Sequence, residues 1–171
     1  MNFEGFKTYE DESGIIIEMV MPSVLRESFF AKLYARGALN DAAEGDPETV
    51  WKALSACYNN RPLVAPRQVH GVNIIEADGG RTLPQRPDAD GVFIEDGEHP
   101  LASLRFADCT PVVIAGAAER PWMAALHSGF KGTLQNIASA AVRLALAKHP
   151  EQRPGEIWAW IGPAIGRGCY S

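Results

Sequence analysis

The sequence is poor in the residues that build disulfide frameworks and large metal clusters. Its 171 residues include three cysteines and four histidines. The three cysteines, Cys57, Cys109 and Cys169, are odd in number and widely spaced, which disfavours a disulfide framework. Reduced thiols are typical of cytoplasmic proteins, so we expect a cytoplasmic protein.

The chain also lacks a basic stripe, a long apolar run and an internal repeat. A net charge of −5, from 16 basic and 21 acidic residues, gives no electrostatic footprint of a nucleic-acid binder. No uncharged apolar run reaches the length of a membrane span, and the acidic first residues do not resemble a signal peptide. The hydrophobic share of 46% is that of a globular protein, so we expect one domain over residues 1–171.

Short β-type runs separated by polar or glycine- and proline-rich turns dominate the chain. We predict strands at residues 14–20, 72–77, 91–95, 101–106, 111–115, 122–126 and 157–161. The longest loop is predicted over residues 78–90. Together with two helical segments, these runs predict a mixed α/β, or α+β, fold.

Two segments have helix signals. Asp46 is a candidate N-cap before Pro47, and the helix that it opens should run to about Tyr58. A second helix should start near Thr133 and end before Pro150, because apolar residues recur there at helical spacing. Those apolar residues are Leu134, Ile137, Ala141 and Leu144.

Three reactive side chains stand at the ends of predicted strands, beside small residues. They are His70, Cys109 and His127. Two imidazoles and one thiolate suit zinc, and three protein ligands leave a fourth position open, as in catalytic zinc sites. A histidine before glycine can equally be a turn or core residue, and a strand cysteine can be a small buried hydrophobe. Spacing alone does not bring the three together.

The segment after His127 is a candidate anion site. Gly129 and Gly132 flank Lys131 at the start of the second predicted helix, where free backbone N–H groups and the helix dipole favour an anion. The other interpretation is a tight strand-to-helix turn with a solvated lysine. The spacing is not that of a P-loop, so hydrolysis of a nucleoside triphosphate is not indicated.

Five short motifs carry a specific resemblance. They are residues 68–71 (QVHG), 89–91 (ADG), 107–111 (ADCTP), 127–132 (HSGFKG) and 161–166 (IGPAIG), followed by Cys169-Tyr170. In order and approximate spacing they resemble the laccase-domain, or YfiH-like, family of purine nucleoside phosphorylases, whose older label is multicopper polyphenol oxidoreductase. The family usually has tryptophan and arginine where this chain has Phe130 and Lys131.

The resemblance implies a mixed-sheet fold of α-β-β-α layers, with His70, Cys109 and His127 as zinc ligands. It implies phosphorolysis of adenosine, inosine or related purine nucleosides by phosphate, together with adenosine deamination. On this basis Cys109, His127 and Asp108 are candidate catalytic residues. Asp108 could orient a ligand or handle a proton, or it could cap the local turn.

The N-terminal part of the family pattern is matched more weakly. The family's Arg-Gly-Gly element is echoed here by Tyr34-Ala35-Arg36-Gly37. We therefore expect Arg36 to join Gly129, Lys131 and Gly132 in binding substrate or phosphate. Family members continue beyond the Cys-Tyr element, so we expect this chain to lack the family's C-terminal portion.

Three other functions remain open at the level of sequence. A copper-dependent polyphenol oxidase would use imidazole and thiolate ligands, but four histidines are too few for a blue site plus a trinuclear cluster. A metal-free hydrolase or deamidase would use Cys109 as nucleophile and His127 as base. A binding module could keep the fold without activity.

Overall fold

The computed structural model describes residues 4–44, 46–77, 86–97 and 100–169. By internal contacts the chain divides into two compact units, Met1–Arg61 and Pro62–Ser171. The single domain over residues 1–171 stays a prediction. None of the helices in the described ranges is both long and apolar enough to cross a lipid bilayer.

The first unit combines an antiparallel sheet with helical segments. Its strands, in the spatial order β1-β2-β3, are β1 (Phe6–Asp11), β2 (Gly14–Met19) and β3 (Ala31–Tyr34). Its helices are α1 (Ala38–Ala42), α2 (Pro47–Leu54) and a 3-10 helix (Ser55–Tyr58). The strand predicted from residue 14 is present, whereas β1, β3 and α1 were not predicted.

Helix α2 begins as its sequence predicts. Asp46 lies directly before it and accepts hydrogen bonds from the Thr49 backbone N–H at 2.8 Å and the Thr49 hydroxyl at 2.6 Å. These bonds satisfy a backbone donor that the first helical turn leaves free. The following 3-10 helix carries the helical segment to Tyr58, the predicted end.

The second unit is built on a five-stranded sheet in the spatial order β10-β8-β9-β6-β5. Its strands are β5 (Ile74–Glu76), β6 (Gly91–Glu95), β8 (Thr110–Gly116), β9 (Trp122–Ser128) and β10 (Ile157–Ile161). Only β5 and β6 run parallel; the other neighbours are antiparallel. A separate parallel pair joins β4 (Leu63–Val64) to β7 (Leu101–Ala102). The mixed α/β class is thus confirmed.

The core of this unit lies between the sheet and α4 (Ile137–Lys148). Trp122 and Leu126 on β9 are fully buried, and Ile137, Ala141 and Ala145 form the buried face of the helix. The two alanines let the helix backbone come close to the sheet, and each large side chain buried here contributes about 1.5 to 3 kcal/mol. This packing supports the strands that carry the candidate site.

Several predicted boundaries were wrong. The helix expected near Thr133 begins earlier, as α3 (Phe130–Leu134), and Asn136 then breaks it by adopting a left-handed backbone with φ of 66°. Leu134, which we expected on the buried face of the helix, is 70% exposed to solvent.

The strand expected over residues 101–106 forms only at Leu101–Ala102, and that over 72–77 only at Ile74–Glu76. Of the predicted loop over residues 78–90, residues 78–85 lie outside the described part of the chain.

Candidate metal centre

One cluster in the second unit has the composition of a metal site. His70, Cys109 and His127 each offer one ligand atom, and these atoms lie within 4.8 Å of one another. The rings of the two histidines are 4.9 Å apart between centroids and meet edge to face. His127 is buried, Cys109 is half-buried and His70 is exposed, so the cluster opens to solvent on one side.

The antiparallel pairing of β8 with β9 brings Cys109 and His127 together. Cys109 directly precedes β8, and His127 is the penultimate residue of β9. Pro111 stands opposite His127 in the register, so the start of one strand and the end of the other share an edge of the sheet. Cys109 and His127 therefore lie at the same edge because β8 and β9 are antiparallel neighbours.

His70 reaches the same edge from a turn rather than from a strand end. Its backbone is left-handed, with φ of 62°, a conformation that costs a non-glycine residue on the order of 1 to 3 kcal/mol. The backbone N–H groups of Val69, His70 and Gly71 all donate to the carboxylate of Asp90, at 3.2, 2.9 and 2.7 Å. These three bonds offset the strain and fix the turn.

The same Asp90 also holds His127. Its Oδ1 lies 2.8 Å from His127 Nδ1, and its backbone carbonyl accepts from the His127 N–H at 2.7 Å. Burial alone would raise the pKa of this fully buried carboxyl group. The hydrogen bonds from His127 and from the three turn amides outweigh burial and leave the pKa of Asp90 lowered. Asp90 is therefore an anion at neutral pH.

Gln68 joins the segment that carries His70 to the one that leads to Cys109. Its side-chain Nε2 donates to the Arg105 carbonyl at 2.7 Å, and its Oε1 accepts from the Arg105 N–H at 2.8 Å. On the other side of Cys109, the Gly162 N–H donates to the Pro111 carbonyl at 2.8 Å. Both sides of the cysteine are thus tied to the surrounding backbone.

The space beside the three ligand side chains exists because residue 129 has no side chain. A Cβ atom on Gly129 would lie 2.9 Å from His70 Cδ2, 3.0 Å from Cys109 Sγ and 3.5 Å from His127 Cε1. Three donors of nitrogen and sulfur type therefore surround a small cradle. The donor set and the cradle both fit a transition-metal ion such as zinc.

The Cys109 thiol is not set up as a nucleophile by its protein neighbours. Burial raises its pKa, and the carboxylates of Asp108 and Asp90 raise it further. A thiol with a raised pKa is mostly protonated at neutral pH and is a poor nucleophile. A bound cation would reverse this, because a metal ligand must be the thiolate.

Comparison with known proteins gives the family. A family profile described as multi-copper polyphenol oxidoreductase laccase matches residues 27–171. The chain belongs to this family. A solved YfiH protein from Bacillus licheniformis is 28% identical, with a TM-score of 0.59 over 71% of this chain and 48% of that chain. A Neisseria meningitidis DUF152 protein, at 22% identity, shares the fold with a TM-score of 0.58 over 94% of this chain and 63% of its own.

Curated relatives carry the name purine nucleoside phosphorylase. One from Rickettsia conorii is 31% identical over 119 residues, which are 70% of this chain and 46% of that protein. The Escherichia coli protein YfiH is 31% identical over 103 residues, 60% of this chain and 39% of its own. A Streptomyces griseus relative is 36% identical over 111 residues, 63% of this chain and 43% of its own. The chain spans less than half the length of these curated relatives.

The remaining residues that we expected at the site are not part of the ligand cluster. Gly132 is buried, and a Cβ there would lie 2.9 Å from the Gly71 carbonyl oxygen, so its segment packs on the His70 turn. Lys131 and Asp108 are exposed. Arg36 belongs to the first unit, where it pairs with Asp41 at 3.0 Å. Its role in substrate binding stays a prediction.

Sequence reasoning gave no role to Asp90 or Gln68. Asp90 was visible only as the centre of the ADG motif, and no local pattern reveals that it contacts a turn some 20 residues earlier. One signal was available in the sequence. Asp90 directly precedes an apolar strand, and an aspartate that is buried beside such a strand needs hydrogen-bonding partners.

Proposed function

We propose that this chain is a zinc-site purine nucleoside phosphorylase that cleaves adenosine, inosine or a related nucleoside with phosphate. The observation that carries the proposal is the cluster of His70, Cys109 and His127 in a chain whose curated relatives are named purine nucleoside phosphorylases. Deamination of adenosine is proposed as a second activity. We also propose a cytoplasmic location, which the three free cysteines support.

Zinc is proposed over copper because of the donor set and the scarcity of histidine. Two imidazoles and one thiolate are a usual zinc set, and a fourth position would be left for substrate. One copper could bind the same donors, which keeps the polyphenol oxidase of the family description as the second candidate. A multicopper centre would need more than the four histidines of the whole sequence.

Phosphorolysis makes modest demands on the protein. A phosphate oxygen forms a bond to the anomeric carbon of the sugar while the bond from that carbon to the purine nitrogen breaks. The electron pair leaves with the purine, and the products are ribose 1-phosphate and the free base. The protein must place the two reactants in line and stabilise their charges, and a bound zinc ion would supply Lewis acidity beside them.

Residues near the cluster are suited to these tasks. Lys131 is exposed and stands two residues after Gly129, where an added Cβ would meet the ligand side chains. Its ammonium group is therefore our candidate for holding phosphate. The amides from Gly129 to Gly132 are further candidate donors. Asp108 adjoins Cys109 and is exposed, so its carboxylate is accessible to a bound substrate.

The metal-free interpretation, with Cys109 as nucleophile and His127 as base, is disfavoured. Burial and the carboxylates of Asp108 and Asp90 raise the pKa of Cys109, which keeps the thiol protonated at neutral pH. An inactive binding module would bind nucleoside without turnover. Turnover by metal-free protein would favour the hydrolase, and nucleoside binding without any product would favour the binding module.

The test combines metal analysis with product analysis of the purified protein. Zinc-loaded protein is incubated with adenosine, with and without phosphate, and adenine, ribose 1-phosphate, inosine and ammonia are quantified. We expect adenine and ribose 1-phosphate to form only when phosphate is present. Cys109→Ser should abolish this activity, whereas Cys169→Ser, at an exposed cysteine, should not. Copper-dependent oxygen uptake with a phenol, without nucleoside cleavage, would favour the oxidase instead.

A further inference from the structure

We propose that Asp90 is the positioning residue of this centre, and that its one carboxylate fixes the ligand geometry of both His70 and His127. The inference rests on the proposed metal site but not on the proposed reaction. Asp90 itself is fully buried and does not face the open side of the cluster.

The carboxylate of Asp90 has no spare acceptor capacity. Oδ1 accepts from the His70 N–H at 2.9 Å and lies 2.8 Å from His127 Nδ1. Oδ2 accepts from the Gly71 N–H at 2.7 Å and the Val69 N–H at 3.2 Å. An ionised carboxylate offers about four acceptor positions, so all of them are filled by the turn and the histidine.

This arrangement selects one tautomer of His127. An ionised carboxylate can only accept hydrogen bonds, so the proton of the neutral imidazole must be on Nδ1. Nε2 then keeps its lone pair and is the nitrogen available to a metal. Full burial prevents water from taking over the role of Asp90, so the tautomer is fixed before any ion binds.

The same oxygen also places the other histidine. Oδ1 holds the backbone of His70 in its left-handed conformation and, at the same time, the ring of His127. The two ligands come from distant segments, yet each is one hydrogen bond away from a common atom. The two rings meet edge to face, with an interplanar angle of 77°.

An amide at this position cannot reproduce the arrangement. Asp90→Asn would have one oxygen and one NH₂ group. If the NH₂ took the Oδ2 position, it would point its hydrogens at the N–H groups of Val69 and Gly71. If it took the Oδ1 position, it would oppose the His70 N–H, and His127 would have to accept through Nδ1. That second tautomer protonates Nε2 and blocks it as a ligand.

The experiment compares Asp90→Asn with Asp88→Asn, with Zn²⁺ as the probe. Asp88 is the matched control because it is exposed and its carboxylate pairs with the surface Arg67. We expect Asp90→Asn to weaken Zn²⁺ affinity by about 10- to 100-fold, the usual effect of losing such a partner, and Asp88→Asn to leave it unchanged. Equal affinity in the two variants would overturn the proposal.

A second measurement needs no variant and no metal. Nitrogen-15 NMR of the metal-free wild-type protein should find His127 as a single Nδ1–H tautomer. In the neutral imidazole, a proton on Nε2, or fast exchange between the two tautomers, would overturn the proposal even if Asp90→Asn failed to fold. A protein that has the expected tautomer and binds Zn²⁺ but does not cleave nucleosides would contradict the proposed reaction and leave the role of Asp90 standing.

Discussion

Replacing Gly129 with alanine tests the cradle beside the three ligand side chains. The backbone of Gly129 has φ of −73° and ψ of 176°, which alanine adopts without strain. The effect of Gly129→Ala therefore comes from the added methyl group alone. That methyl would lie 2.9 Å from His70 Cδ2 and 3.0 Å from Cys109 Sγ.

The size of the effect follows from these distances. Carbon atoms pack best at about 3.5 to 4.0 Å, so the His70 ring would have to move by roughly 0.6 to 1.1 Å. Functional sites tolerate displacements of about 0.5 Å, and a misplacement of about 1 Å can cost a hundredfold. The simplest relief is rotation of exposed His70 away from the cluster, which removes one ligand. We expect Zn²⁺ affinity to fall about 10- to 100-fold, or roughly 1.4 to 2.7 kcal/mol.

The assay is a competition titration of Zn²⁺ between the protein and a chromogenic chelator. Gly155→Ala is the matched control, because a Cβ at Gly155 meets nothing within 4 Å. The control should bind Zn²⁺ like the wild type, and thermal melting should show that both variants are folded. Wild-type affinity in Gly129→Ala would refute the view that this cradle holds the metal.

Three further predictions concern charge. Lys131→Ala should lower phosphate-dependent turnover about tenfold to a hundredfold, because a charge-assisted contact is worth about 1.5 to 3 kcal/mol, and it should not change Zn²⁺ affinity. Lys7→Ala, at another exposed lysine, is the control. Equal turnover of Lys131→Ala and wild type across a phosphate titration would contradict this prediction. The hydrogen bond to Glu76 raises the pKa of Lys148 above its ordinary 10.5, although burial acts in the opposite direction. The interaction of Lys148 with Glu76 therefore stabilises the fold fully below pH 10.5, and this stabilisation disappears as pH rises through the raised pKa. The difference in unfolding free energy between the wild type and Lys148→Met, measured by urea titration, should thus shrink above pH 10.5, and a constant difference would contradict this sign. Iodoacetamide should modify Cys109 of the metal-free protein more slowly than exposed Cys169 at neutral pH, because burial and Asp108 raise the pKa of Cys109; faster modification, followed by mass spectrometry, would revive the nucleophile interpretation.

Much of the sheet could be predicted because its strands are short apolar runs bounded by turn residues. The strand β6, for example, matches its predicted range, and the N-cap of α2 was visible in the Asp46-Pro47 pair. The break at Asn136 was not predictable from periodicity, since the apolar spacing continues through it. Asparagine tolerates a left-handed backbone better than most residues, and this property ends α3.

The candidate ligands could be named from residue type and resemblance, but their meeting could not be derived from spacing. Cys109 and His127 come together through the register of β8 with β9, which is a tertiary pairing. His70 depends on a left-handed turn that Asp90 holds from another segment. Such a contact lies between residues distant in sequence, and local propensity contains no information about it.

X-ray absorption of the zinc-loaded protein shows whether His70, Cys109 and His127 hold one metal ion together. We expect one sulfur neighbour at about 2.3 Å and two imidazole nitrogens at about 2.0 Å from the zinc. In Cys109→Ser protein, the sulfur contribution should disappear. A zinc environment without sulfur in the wild type, or one that Cys109→Ser leaves unchanged, would mean that Cys109 is not a ligand and that the three residues do not share the ion.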